Sequence, residues 1–384
     1  MAAFAADIQA GTPTITPNIG TSSGTVVSFA GQEWWVIGDA SSGVYQHTDS
    51  ITLLLKSTGN PYGNTAFRTG GGSSFSNSTL YSGDGWYYAN NPSGESPWTD
   101  PSEYRGSTLQ QRMETIAGAF PQKEQDLINV RTLTADDDTN YKITGGDVAN
   151  QKLWALSWDE WSTIGDTTVR SYGNYWWLRS PSDGFTNYAV IVFSDGSIYT
   201  SGDYVDSDYS AARPAFNLNL SSIFFTSAAS GGKSTAVGSD LASATAPTGK
   251  LKFTFEDSSL SLNVADQSTR TATPGGTVGI AYTSAVTGTD NYVSCVITDS
   301  SDNVLYYGKL ATAASGTANI TVPSGLGSGS YKIKMFNEQA NGENFSDFAS
   351  APVDIPLTVP TPVTFTAQQT GGSSGTADST GIVL

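Results

Sequence analysis

Tyr175 to Phe216 reads YWWLRSPSDGFTNYAVIVFSDGSIYTSGDYVDSDYSAARPAF, and this stretch decides how the rest of the chain is read. It opens on an aromatic and basic block, Trp176-Trp177-Leu178-Arg179-Ser180-Pro181, and closes on Arg213-Pro214-Ala215-Phe216-Asn217-Leu218. Between the two blocks, residues 182–210 hold six Ser, five Asp and four Tyr, so 15 of 29 positions use three residue types. The flanks have the composition of buried framework. Trp176 and Trp177 supply large apolar area, and Arg179 and Arg213 have forked donors suited to backbone carbonyls or to a buried carboxylate such as Asp159 or Glu160. The middle has the composition of a displayed surface. Tyr gives rigid amphipathic contact area, and Ser and Asn give adaptable hydrogen bonds, as in binding loops.

The WWLRSP block, a short strand, a Gly turn and the closing ARPAFNL resemble the signature of a bacterial domain with a C-type-lectin-like fold. Related folds form the variable proteins of diversity-generating retroelements and, more distantly, the formylglycine-generating enzymes. The resemblance reaches back to FAGQEWWVIG near Val26 and covers residues 26–225. It implies a ligand-binding face between the anchors. In retroelement-diversified relatives, randomised Asn codons yield Tyr, Ser, Asp, Phe, Thr and Asn. The residues of this chain that match that output are Asp183, Phe185, Thr186, Asn187, Tyr188, Tyr199, Ser201, Asp203, Tyr204, Asp206, Ser207, Asp208 and Tyr209. Formylglycine-generating activity depends on cysteine in this domain and does not carry over, because the single cysteine is Cys295.

Composition narrows the function classes. A net charge of −17, with 18 Lys plus Arg and no basic cluster, argues against nucleic acid, whose phosphates require cations. Charged residues make up 14% of the chain and Gly, Ser and Thr abound, which suits a secreted or cell-surface, β-rich protein. Ala3-Phe4-Ala5 has the small-x-small form of a signal-peptidase site, so the signal peptide is taken as already removed. One cysteine excludes an internal disulfide and a Cys-cluster zinc site. No apolar run is long enough for a membrane-spanning helix.

Taken in order, residues 1–25 read as an extended leader. Val26 to Ile37 reads as two strands around Ala30-Gly31, and Ser50 to Lys56 as a buried strand. Residues 60–105 form a long loop with an aromatic section at 81–98. Leu109, Met113, Ile116 and Phe120 share one helix face, with Ser107 or Thr108 as cap and Pro121 as stop. Ser157-Trp158-Asp159-Glu160 is a capping box opening another helix. Residues 226–250 read as a flexible linker. Strand alternation then recurs across 251–359 in KLKFTFED, LSLNV, TVGIAYTS, YVSCVIT, VLYYGKL, ANITVP, YKIKMFN and VDIPLTV. Tyr331 there is a candidate tyrosine corner. Residues 360–384 read as the opening of a further repeat, cut short within a longer parent. The expected class is an α+β C-type-lectin-like domain followed by an all-β immunoglobulin-like sandwich.

For function, the expectation is an adhesin-like binder, monomeric and without enzyme activity. It would present residues 182–209 to a protein or glycan on another cell or host surface. His47, in a polar turn, has no G-x-S-x-G serine to serve. No cofactor is expected. Asp203-x-x-Asp206-x-Asp208 and Asp136-Asp137-Asp138 are carboxylate-rich enough for calcium, but match no EF-hand. The alternatives are a structural surface-layer module and a glycan-active enzyme pairing Asp159 or Glu160 with a loop Asp.

Overall fold

The computed structural model describes residues 6–10, 14–56, 59–69, 104–139, 147–182 and 188–362. Strand outweighs helix by 42% to 9%, which makes the protein mostly β. Among the described residues the largest element is a mixed sheet of 16 strands, supplemented by three small sheets.

The first hairpin forms where alternation predicts it. Val26–Phe29 pairs antiparallel with Gln32–Gly38 through Ala30 and Gly31, both at positive φ (48° and 80°) as a tight hairpin turn requires. Ser50–Leu55 is buried at all six positions, with Ile51 and Leu53 to Leu55 in the core and the Thr52 hydroxyl donating to the Tyr45 carbonyl. It lies between Gln32–Gly38 and Ala215–Asn219, so the closing block of the key stretch is built into the large sheet near one end, with Ile128–Asn129 and Leu153–Trp154 on its other side. Helix Thr108–Ala119 covers this region with Leu109, Met113 and Ile116. Ser107 Oγ accepts the Gln110 amide, and Pro121 follows the Phe120 cap. Helix Trp158–Thr163 has the full reciprocal capping box of Ser157 and Glu160. Trp34 and Phe216 rings meet edge-on at 4.7 Å in the core beneath.

The C-terminal half is all-β, with strands in two layers. Asn291–Thr298 lies between Val304–Ala311 and Gly329–Gln339, with Val353–Val359 beyond. The opposing layer is the pair Thr277–Tyr282 and Gly316–Thr321. Ile280 and Ile320 from one layer and Cys295, Ile333 and Ile355 from the other share a core. Tyr331 donates its hydroxyl to the Gly327 carbonyl at 3.1 Å, forming the expected corner. LSLNV is not a strand and makes only a bridge from Asn263 to Thr283.

Two boundaries need correction. Residues 226–250 are not a free linker. Ile223–Ala228 pairs with Lys250–Glu256, and Ala242–Thr245 pairs with Val304–Ala311. Ser and Ala are small enough to pack flat between sheet neighbours, so partner strands decide the conformation where composition suggested flexibility. Nor is residue 251 a clean start. Phe253, Phe255, Leu260 and Phe348 belong to the first core, and Lys250–Glu256 also pairs parallel with Val26–Phe29. The leader is likewise built in. Ala6–Ala10 joins Ile223–Ala228, and buried Asn18 donates to the Thr25 and Val36 carbonyls. The opening of a further repeat expected at 360–384 lies almost wholly outside the described residues.

Candidate functional site

A three-stranded antiparallel sheet carries the middle of the key stretch. Its order is Ile198–Tyr204, Tyr188–Val192, Trp176–Pro181, so the tyrosine-bearing strand and the anchor strand occupy opposite edges. The turn between the first-listed pair depends on Gly196 at φ +88°, where a Cβ would stand 2.7 Å from the Thr167 carbonyl oxygen. Register shifts between Ala189 and Ile191, and opposite this shift Gly202 adopts φ +70°. A Cβ on Gly202 would stand 2.2 Å from the Ala189 oxygen, so only glycine lets the two strands close at that bulge.

The anchors are fully buried. Trp176, Trp177, Arg179 and Arg213 each have no exposed surface. Trp176 Nε1 donates to the Arg170 carbonyl (3.1 Å) and Trp177 Nε1 to the Thr65 carbonyl (2.7 Å). Arg179 Nη1 donates to the Ala155 carbonyl at 2.8 Å and to Glu160 at 2.5 Å. Glu160 also receives Arg131 Nη1 at 2.6 Å, and Asp137 faces both guanidiniums. Burial alone would raise the Glu160 pKa. Arg179, Arg131 and the Ser157 amide outweigh it and hold the group down to about 2. Arg213 has a different setting. Its guanidinium donates to the carbonyls of Leu55, Arg170 and Val169 at 2.9, 2.7 and 2.8 Å, and burial lowers its pKa.

The displayed edge has the opposite character. Tyr199, Tyr204 and Tyr209 are 43%, 37% and 76% exposed, and Tyr188 is half-buried. Tyr188 and Tyr204 are register partners with ring centroids 4.3 Å apart. Tyr199 stacks on Phe193 at 5.5 Å, and Phe193 meets Tyr175 at 5.2 Å. The hydrogen bond with Tyr204 pushes the Tyr188 hydroxyl up to about 12, helped by burial and by the nearby Tyr204, Asp203 and Tyr199 charges. Tyr188, Tyr199, Tyr204 and Asp203 therefore share one electrostatic neighbourhood. Ser201 and Ser207 are half-buried beside them, and Asp206 and Asp208 are exposed on the return segment that also carries Tyr209. Asp183, Phe185, Thr186 and Asn187 lie outside the described residues, as does the aromatic section 81–98.

Other candidates have structural employment. His47 is exposed, with Nδ1 2.9 Å from the Thr48 carbonyl oxygen. Asp137 pairs with Arg131. Asp138 is fully buried and accepts from Ser180 Oγ and the Trp158 amide, and only Asp136 of this acidic run is exposed. Asp159 accepts the Thr139 amide and hydroxyl, both at 2.7 Å. Among the described residues no group of three His, Cys, Asp or Glu side chains is arranged to hold a metal ion. Sequence reasoning missed Arg131, whose place over the Tyr45 and Trp154 rings has no local signal.

Residues 78–220 match the model of a family described as a domain of unknown function, DUF6273. The matched span includes both anchor blocks and the whole tyrosine-bearing segment. No curated protein and no solved structure matches the chain.

Proposed function

We propose that this chain is a secreted or cell-surface binding protein, adhesin-like in use, that holds a protein or glycan ligand on the tyrosine-bearing edge of its three-stranded sheet. The scaffold is a C-type-lectin-like domain, similar to retroelement-diversified variable proteins, carried on an immunoglobulin-like sandwich. One observation carries this reading. Of eight exposed large apolar side chains among the described residues, four are Tyr175, Tyr199, Tyr204 and Tyr209, gathered within one short segment. Contiguous exposed aromatics mark interaction surfaces, and Tyr is favoured at binding hot spots. Asp203, Asp206 and Asp208 beside them favour a basic or hydroxyl-rich partner. The reading assigns no catalysis. Glu160, the carboxylate best placed for acid–base work, is held ionised by two guanidiniums, which suits a strut and not a proton donor.

The test is capture by a glycan array and a panel of intact cells, comparing the native chain with a variant carrying Ala at Tyr188, Tyr199, Tyr204 and Tyr209. Capture by the native chain and its loss in the variant is expected. Equal capture by both moves the site elsewhere, and capture by neither favours a structural module. Diversification has its own test in the coding DNA. Mismatches from a neighbouring near-copy should fall at template adenines within codons 182–209, and scattered mismatches would contradict it.

A further inference from the structure

Four charged side chains are almost wholly buried beside the Phe225, Tyr307 and Phe336 cluster. Glu338 and Asp347 side chains are 0% and 1% exposed, and Lys233 is 9% exposed. Lys233 Nζ lies 2.6 Å from Glu338 Oε1 and 2.5 Å from Asp347 Oδ2. Lys252 Nζ approaches the other Asp347 oxygen at 2.7 Å and donates to the Asn341 and Gly342 carbonyls. Glu338 Oε2 accepts from Ser294 Oγ and the Tyr307 hydroxyl, both at 2.7 Å. Phe225, Tyr307 and Phe336 wall the group, with the Phe225 ring 4.6 Å from Lys233 Nζ.

The four groups have different chemical capacities. Lys233 has a carboxylate other than Asp347 to take its proton, whereas the remaining acceptors of Lys252 are backbone carbonyls that cannot. Lys252 is placed where charge would develop on Asp347 Oδ1, the position of an oxyanion donor. The reacting atoms are held in a low-dielectric, preoriented arrangement, which removes much of the entropic barrier to condensation. A cavity of about 640 Å³, lined in part by Lys233, Lys252 and Asp347, adjoins the group and gives a released water somewhere to go.

We propose that Lys233 and Asp347 condense spontaneously into an isopeptide bond, with Glu338 as proton relay and Lys252 as oxyanion donor. A proton first passes from the Lys233 ammonium to Asp347 Oδ2 along their 2.5 Å contact, leaving a neutral amine beside a neutral carboxyl. The Nζ lone pair attacks Cγ, and the carbonyl electrons move onto the oxygen held by Lys252. Glu338 then passes a proton from the nitrogen to the hydroxyl, the Cγ–O bond breaks and water departs. One positive and one negative charge disappear together, Glu338 and Lys252 end as they began, and no oxidant or reductant is required. The bond would fasten the 226–250 segment to a strand 114 residues further on.

Intact-mass measurement of the full chain in denaturant tests this. The expected mass is one water (about 18 Da) below that of the sequence, a signature of covalent modification. Proteolysis and fragmentation should recover a branched peptide joining Lys233 to Asp347. Asp347→Ala and Glu338→Gln should return the full mass. A native chain at full sequence mass overturns the proposal whether or not the variants fold. So does a water loss that persists in Asp347→Ala, or a branch at Lys252.

Discussion

Trp176–Pro181 and Ile198–Tyr204 flank the same strand in the same three-stranded sheet, yet they share almost no physical character. The first is buried at five of its six positions and is fixed by an arginine–carboxylate network and indole hydrogen bonds. The second is buried at one of seven, the Gly202 bulge, and turns its tyrosines outward. One edge is packed into the fold and the other is open to solvent. A solvent-facing edge needs little stability of its own when the opposite edge of its sheet is this firmly held.

The largest effect should come from the framework. Glu160→Ala leaves Arg131 and Arg179 buried with Asp137 as the one remaining carboxylate between them. Breaking a buried pair from one side costs about 3–5 kcal/mol, which a urea midpoint would register. A loss within the range of ordinary surface changes would mean that the network does not anchor the sheet. The same group sets an acid limit. Its folded pKa lies at about 2, below the ordinary 4.5, so its contribution is present above pH 4.5 and is lost as pH falls towards 2. A stability profile over that window should flatten in Glu160→Gln.

Arg213→Lys should cost less, about 1–3 kcal/mol, because an ammonium cannot fork to three carbonyls and leaves buried acceptors unsatisfied. Thermal unfolding would measure it, and an unchanged midpoint would show that the carbonyl fork is dispensable. Smallest of all is Tyr209→Ala. At 76% exposure it should shift stability by no more than about 0.5 kcal/mol. A larger loss would make Tyr209 part of the framework and blur the contrast between the edges.

Much of this was legible in the sequence where local chemistry decides the outcome. Ser107 with Pro121 bounds a helix, Ser157 with Glu160 closes a capping box, and paired Trp beside Arg marks a buried edge. Legibility failed where a distant partner decides. Residues 226–250 look flexible by composition, but Lys250–Glu256 and Val304–Ala311 give their backbone ladders. Asp137 and Asp138 read as candidate calcium ligands until Arg131 and Ser180 arrive from other elements to engage them. The Lys233, Glu338 and Asp347 cluster is assembled across separations of 105 and 114 residues, with no motif to announce it.

The most direct measurement sets the two edges against each other in one denaturation experiment. Trp177→Ala removes a single fully buried side chain and should cost about 3–5 kcal/mol. A variant with Ala at Tyr199, Tyr204 and Tyr209 together removes three large rings, but each is exposed. The triple change should cost less than about 2 kcal/mol, mostly from the ring contacts with Phe193 and Tyr188. A triple variant that unfolds as early as Trp177→Ala would contradict the account, because the tyrosines would then be holding the sheet together and not facing a partner.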